Sequence, residues 1–298
     1  MVLGGGPILV TGGTGQLAAA LLAARGRRAM LRVGRPDFDF DRPATIAACL
    51  RAASPGLIIN AAAYTAVDRA EAEPDAARRA NTEGPRLIAA YAAAANIPLI
   101  HISTDYVFDG EKRAPYRETD PTNPTTVYGL TKRDGEDAIL ASGAPCLILR
   151  TSWVYAASGR NFVLTMLNAA KKTNILRVVA DQTGCPTAAA DLAAVILRLA
   201  DRIAAAGWSA QWRGIYHAAG SGATTWHGLA SATFAEAARH GAAGPTLLPI
   251  TTADWPTPAR RPADSRLDCT KLGDVFGIAL PDWRGALSRT VANVYSAY

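Results

Sequence analysis

The chain has 298 residues, 49% of them hydrophobic and 19% charged, which is the make-up of a folded globular protein long enough for a full α/β domain and a smaller lobe. Its net charge of +6 would suit an anionic partner, but the arginines are scattered, with no basic run of five and no basic–aromatic stripe. Nucleic-acid binding needs a concentrated patch and is disfavoured, whereas a doubly phosphorylated small molecule fits scattered arginines well.

The opening "MVLGGGPILVTGG" has no basic start and no long apolar run, so neither a signal peptide nor a membrane span is expected. "PILVTGGTGQL" reads as a short buried strand, a glycine turn and the start of a helix through "LAAALLAARG". A second strand follows near "RAMLRVG", then a helix around "ATIAACLRAAS" and a β-rich run "GLIINAAAYT". Pro74 suits the first turn of a helix that continues through "DAARRANTEGPRLIAAYAAAAN". Next come the strand "PLIHISTDYVF", a polar loop, the "VYGLTK" helix and the strand "PCLILRTSWVY". Such alternation predicts a Rossmann-like, doubly wound parallel sheet with helices on both faces.

Ligands of such sheets bind beyond the carboxyl ends of the strands. The segments "TGGTG", "NAAAYT", "STDYVFDG" and "RTSWVY" should therefore line one site. After residue 150 strands and helices mix in "NFVLTMLNAAKKT", "LRVVADQTGCPTAAADLAAVILRLADRI" and "GIYHAAGSGATTW", where T-T-W looks like a helix start. The expected organisation is a cofactor-binding region over 1–152 and a smaller, mainly substrate-binding α/β lobe over 153–298. A segment of that lobe, about 185–206, is expected to return to the first region. The four cysteines (49, 146, 185 and 269) have no paired spacing and suit reduced thiols in the cytoplasm. The four histidines lack ligand spacing, so no dedicated metal site is expected.

Between the first strand and helix stand Gly12, Thr14, Gly15, Gln16 and Leu17, with the small Ala18 behind them. Glycines there let backbone N–H groups approach a pyrophosphate at the helix N-terminus. No G-x-x-x-x-G-K-[ST] is present, which disfavours a P-loop nucleotidase. Arg35 follows the second strand, with Arg32 within it and Asp37 and Asp39 beyond. An arginine at that point favours a ribose 2′-phosphate, hence NADPH with NADH tolerated.

Tyr128 precedes Lys132 by about one helical turn, so both leave the same face of a helix. With nine tyrosines and five lysines in 298 residues, about 0.15 such pairs arise by chance, so the pair alone decides little. A glycine turn, a strand-end hydroxyl at Thr104 and this pair together resemble the extended short-chain dehydrogenases/reductases. "NAAAYTAVDRAEAEP", "STDYVFDG", "VYGLTK", "RTSWVY", "DQTGCPT" and "TPARRPADSRLD" closely resemble the dTDP-4-dehydrorhamnose reductase family, in order from about residue 7 to 290.

The resemblance implies hydride transfer from NADPH to C4 of dTDP-4-dehydro-β-L-rhamnose, the last step of dTDP-rhamnose synthesis. It makes Tyr128 the proton donor, its acidity strengthened by the Lys132 charge, and lets Lys132 also hold the nicotinamide ribose. Thr104 would donate to the substrate oxygen, with Ser103 as the fallback. Asp105 would lie near the sugar and Trp153 against the deoxysugar. Ala62, Ala63 and Tyr64 would border the cofactor, and Arg260 and Arg261 are candidates for the diphosphate. The Thr104-Asp105-Tyr106 order, without the Asp-Glu pair of related dehydratases, disfavours water elimination. Some family members use Mg²⁺ at a subunit contact, but no acidic cluster here identifies its ligands. A monomer or homodimer is expected. The alternatives are a sugar-nucleotide 4-epimerase, another dTDP-4-keto-6-deoxysugar reductase, and a non-catalytic nucleotide-binding subunit.

Overall fold

Residues 5–296 are described by a computed structural model; the first four residues of the N-terminal segment and the outer ends of the two expected regions lie outside the described residues. The first half runs β1 (Ile8–Thr11), α1 (Gln16–Ala23), β2 (Met30–Val33), α2 (Pro43–Ala53), β3 (Leu57–Asn60), α3 (Val67–Ala72) and α4 (Pro74–Arg78). A π-helical turn (Arg79–Glu83) leads into α5 (Gly84–Ala95), followed by β4 (Leu99–Thr104), α6 (Val127–Ala141) and β5 (Cys146–Thr151). The second half adds β6 (Val154–Tyr155), α7 (Phe162–Ala170), β7 (Ile175–Val179), β8 (Thr183–Gly184), β9 (Thr187–Ala188) and α8 (Ala189–Ala206). It ends with β10 (Gly214–His217), β11 (Thr224–Thr225), α9 (Trp226–Ala238), β12 (Thr246–Ile250), α10 (Thr270–Phe276) and α11 (Trp283–Ser296).

Six strands form one parallel sheet in the order β10-β5-β4-β3-β1-β2. The inner strands read as near-continuous apolar runs because helices cover both faces. Alternation sorts their side chains. Val10, Ile59, Ile100 and Leu149 face α1 and α8, while Leu9, Ile58 and Ile148 face Ile46, Ile88 and Ile139 of α2, α5 and α6. The chain leaves β1 for β2 on one side and returns to β3 on the other. That reversal opens a crevice at the carboxyl ends of β1 and β3, where the glycine turn lies.

The second half contributes directly to this layer. β10 completes the sheet beside β5, and α8 buries Leu192, Ile196, Leu199 and Ile203 in the same apolar cluster as Leu17 and Leu21 of α1. A separate cluster, including Tyr155, Val163, Phe234, Trp283 and Leu287, joins α7, α9 and α11. The T-T-W segment starts α9, with the Thr225 side chain accepting from the Gly228 N–H.

The helix expected to run unbroken from Pro74 is interrupted by the π-helical turn. There the Asn81 carbonyl comes so near α6 that a Cβ on Gly135 would stand 2.1 Å from it. Only glycine fits that approach. One turn of α6 away from Lys132, Glu136 meets Arg150 of β5 in a fork, with Nη2–Oε2 at 2.6 Å and Nε–Oε1 at 3.0 Å. Both side chains are buried, so neither can be satisfied by water if its partner goes. Glu136→Ala is expected to cost about 3–5 kcal/mol, whereas Arg86→Ala, which breaks an exposed pair with Glu83, should cost at most about 1 kcal/mol. Urea unfolding of the two variants checks the contrast.

Candidate active site

β1 ends at Thr11, and Gly12 turns the chain with φ +113°, where a Cβ would stand 3.0 Å from the Ala61 carbonyl. The backbone of β3 and the glycine turn thus meet without a side chain between them. α1 begins at Gln16 with Gly15 as N-cap and no side-chain cap, leaving its first N–H groups free to hold an anion. This cradle fits the pyrophosphate of a dinucleotide. Thr14, Gln16 and Leu17 belong to it, and Gln16 also fastens Asn161 through Oε1 at 2.9 Å.

Parallel register places Thr11 beside Asn60 and Asn60 beside His101. Their side chains form a buried chain. Thr11 Oγ1 donates to Asn60 Oδ1 at 2.6 Å, and Asn60 Nδ2 lies 2.9 Å from His101 Nδ1. His101 Nε2 lies 3.3 Å from Lys132 Nζ, which donates to the Ile102 carbonyl at 2.6 Å. The Ala62 N–H reaches both Thr11 Oγ1 and Asn60 Oδ1. Tyr64 is held through its backbone by Asn81 of the π-helical turn, and its hydroxyl donates to Glu73 at 2.6 Å.

Tyr128 is the second residue of α6, whose N-cap Thr126 accepts from the Gly129 N–H. Thr104, Asp105, Tyr128 and Lys132 are all at most 9% exposed. Burial pushes the Tyr128 phenol up to about 12; the Thr104 hydroxyl opposes the shift and Asp105 adds to it. Burial pushes the Lys132 ammonium down to about 8, against the pull of Glu136. Lys132 is not among the groups that shift the phenol here. One helical turn puts both residues on one face, but the long lysine stem carries Nζ to β4, and burial governs the phenol.

Thr104 Oγ1 donates to Asp105 Oδ1 at 3.0 Å and accepts from the Tyr106 N–H. Burial pushes the Asp105 carboxyl up to about 6, opposed by the hydroxyls of Ser265 and Thr104. Tyr106 packs edge-on to Tyr128 at 5.5 Å. Ser103, the fallback for Thr104, is buried on the strand with its hydroxyl unpartnered among the described residues.

The remaining candidates lie around this centre. Trp153 has φ +48° and stacks flat on Trp226, ring centres 3.5 Å apart. Thr125, ahead of α6, donates to the Arg260 carbonyl, which brings that loop to the Tyr128 end of the helix. Arg260 is exposed and pairs with Glu111, while Arg261 is forked onto Asp68 at 2.9 and 2.7 Å. Both arginines line a cavity of about 240 Å³ with Asp109, Asp181 and Thr252. Arg35 stands apart on the surface, held by Asp39 and Asp41 at 3.0 and 2.7 Å. Two carboxylates on its guanidinium oppose a phosphate at that spot. Among the described residues, no group of three or more His, Cys, Asp or Glu is placed to hold a metal ion, so Mg²⁺ finds no such ligand set.

Asn60, His101, Asn81, Trp226 and Asp68 join the candidate residues only through contacts that the fold makes. For His101, its place three residues before Thr104 on one strand is a usable signal.

A doubly wound sheet with its glycine turn at the switch point and a hydroxyl, a tyrosine and a lysine gathered at the next strand end is the design of the extended short-chain dehydrogenases and reductases. The chain belongs to the dTDP-4-dehydrorhamnose reductase family: the family model described as RmlD substrate binding domain matches residues 6–296. The dTDP-4-dehydrorhamnose reductase of Sinorhizobium fredii is 46% identical over 285 residues, 95% of this chain and 96% of the relative. The crystal structure of a dTDP-4-dehydrorhamnose reductase from Clostridium acetobutylicum superposes with a TM-score of 0.89 at 33% identity, covering 97% of this chain and 99% of the other. The Bacillus anthracis dTDP-4-dehydrorhamnose reductase, solved in complex with NADP, gives 0.89 at 30% identity with the same coverage.

A carboxyl raised by burial binds its proton more tightly folded than unfolded. Asp105 therefore costs stability as pH rises from about 4 to about 6. Asp105→Asn lacks this cost, so between pH 4 and 7 the variant should gain on the parent by on the order of 2–3 kcal/mol. Unfolding free energies of both proteins at the two pH values measure it.

Proposed function

We propose that this protein reduces the C4 ketone of dTDP-4-dehydro-β-L-rhamnose with NADPH, yielding dTDP-β-L-rhamnose and completing dTDP-rhamnose synthesis. The observation that carries the reading is the convergence of Thr104 and Tyr128 in one buried spot, with Lys132 one helical turn beyond, in a chain 46% identical to a reductase of that name. Residues 1–152 hold the cofactor and 153–298 mainly the sugar nucleotide, with the stretch near 185–206 packing back on the cofactor region through α8.

When bound, NADPH supplies the hydride to C4. The free N–H groups after Gly15 receive the pyrophosphate, with Ala62, Ala63 and Tyr64 bordering the dinucleotide. Thr104 turns its hydroxyl from Asp105 to the substrate oxygen, and Tyr128 gives that oxygen its proton. A secondary alkoxide is a stronger base than a phenolate, so the transfer runs downhill even from a phenol raised to about 12. Lys132 holds the ribose hydroxyls and sets a positive charge one turn from the tyrosinate. Trp153 packs against the deoxysugar, and exposed Arg260 offers its guanidinium to the diphosphate, since Arg261 is committed to Asp68.

The NADP-bound structural relative supports NADPH. Arg35 reaches a 2′-phosphate only by releasing Asp39 or Asp41, whose carboxylates suit free ribose hydroxyls; NADH is therefore tolerated. All these residues come from one chain, which suits a monomer or a homodimer, and the four free thiols suit the cytoplasm.

Purified protein given NADPH and the 4-keto sugar should consume the reduced cofactor and release dTDP-β-L-rhamnose. Tyr128→Phe should lower kcat by about 10²–10⁴-fold with a smaller change in KM. Conversion of the sugar without loss of NADPH, or full activity in Tyr128→Phe, would refute the reading.

A further inference from the structure

Donor–acceptor parity along the chain from Thr11 to Lys132 decides which atoms carry protons. The Ala62 N–H can only donate, so the Asn60 atom that faces it is the oxygen. The Asn60 amide nitrogen therefore faces His101 and donates to Nδ1 at 2.9 Å. His101 is fully buried, and burial, the larger cause, holds it below the usual imidazole range; a ring whose Nδ1 accepts from Asn60 is not an imidazolium, so it is neutral. With Nδ1 accepting, the single ring proton sits on Nε2, pointing at Lys132 Nζ 3.3 Å away.

An ammonium has no lone pair to receive that proton. In this position Lys132 is matched only as a neutral amine, accepting from His101 Nε2 while donating to the Ile102 carbonyl. The other groups about it do not change the parity. Glu136 attracts the ammonium but is forked onto Arg150, Tyr128 is a raised phenol beside Asp105, and Glu71 of α3 is spent on the Val127 N–H.

We propose that His101, oriented by Asn60 and Thr11, is a positioning residue that turns the Lys132 ammonium away from β4 toward the cofactor ribose, so that dinucleotide binding draws a proton onto Lys132. The proton comes from the buffer and goes to Nζ; no other bond changes. The ribose hydroxyls offer the acceptors that His101 withholds. The same chain begins at Thr11 and Ala62, where the glycine turn meets β3, so the dinucleotide cradle and the lysine share one hydrogen-bond network. This inference rests on the cofactor reading above.

Calorimetric titration of the full chain with NADP⁺ at pH 8, in two buffers of different ionisation enthalpy, counts the protons. Uptake of about half a proton per NADP⁺ is expected, since Lys132 is pushed down to about 8. Lys132→Met should take up none. His101→Gln, whose amide oxygen can receive the ammonium before any ligand arrives, should take up less than half the parent value. NADP⁺ bound without proton uptake, or with equal uptake in either variant, overturns the inference; failure of NADP⁺ to bind overturns the cofactor reading instead. Should His101→Gln not fold, the ring ¹⁵N shifts of the unmutated protein decide. The imidazole adjoining the Asn60 amide must be the neutral Nε2–H form from pH 6 to 9, and an Nδ1–H form or an imidazolium overturns the inference.

Discussion

A parallel sheet brings the last residues of its strands side by side in an interior with no water to offer them, so their polar groups must find partners among themselves. Here that demand produces the contact from Thr11 through Asn60 and His101 to Lys132, one residue from each of three strands and one from a helix. It also produces the Glu136–Arg150 fork one helical turn further along α6. Buried polar groups left unpaired are costly, so such a network specifies one arrangement of the strand ends. The position of α6, and of Tyr128 on it, follows from the same requirement.

Burial then governs the chemistry. The Tyr128 phenol and the Asp105 carboxyl are pushed up and the Lys132 ammonium down, each toward its neutral form. A site that discourages resting charge responds strongly when charge arrives or develops, because little solvent screens it. The reduction proposed for this protein creates such a charge on the substrate oxygen, beside Thr104 and Tyr128. The cofactor cradle works on the opposite principle. It offers uncapped N–H groups at the start of α1, partial positive charge that waits for an anion.

Much of this was legible in the chain. Apolar runs bounded by turns marked the strands, and their alternation with helical stretches marked a parallel sheet, because both signals are local and repeat. The glycine turn, the one-turn spacing of Tyr128 and Lys132 and the T-T-W start of α9 were readable for the same reason. The fate of long side chains was not. Nothing in the order of residues showed that Arg35 would be held by Asp39 and Asp41, or that the long stem of Lys132 would carry Nζ to the Ile102 carbonyl of β4. Trp226 gave no sign that it would stack on Trp153 from 73 residues away.

By itself the sequence determined the order of elements, the dinucleotide turn, the reactive residue types and the family, since each rests on spacing along the chain. Only the tertiary structure decided which groups are paired, which protons they hold and which way Lys132 points. Those depend on burial and on partners distant in sequence, and a donor or acceptor acquires its role only when the atom facing it is known.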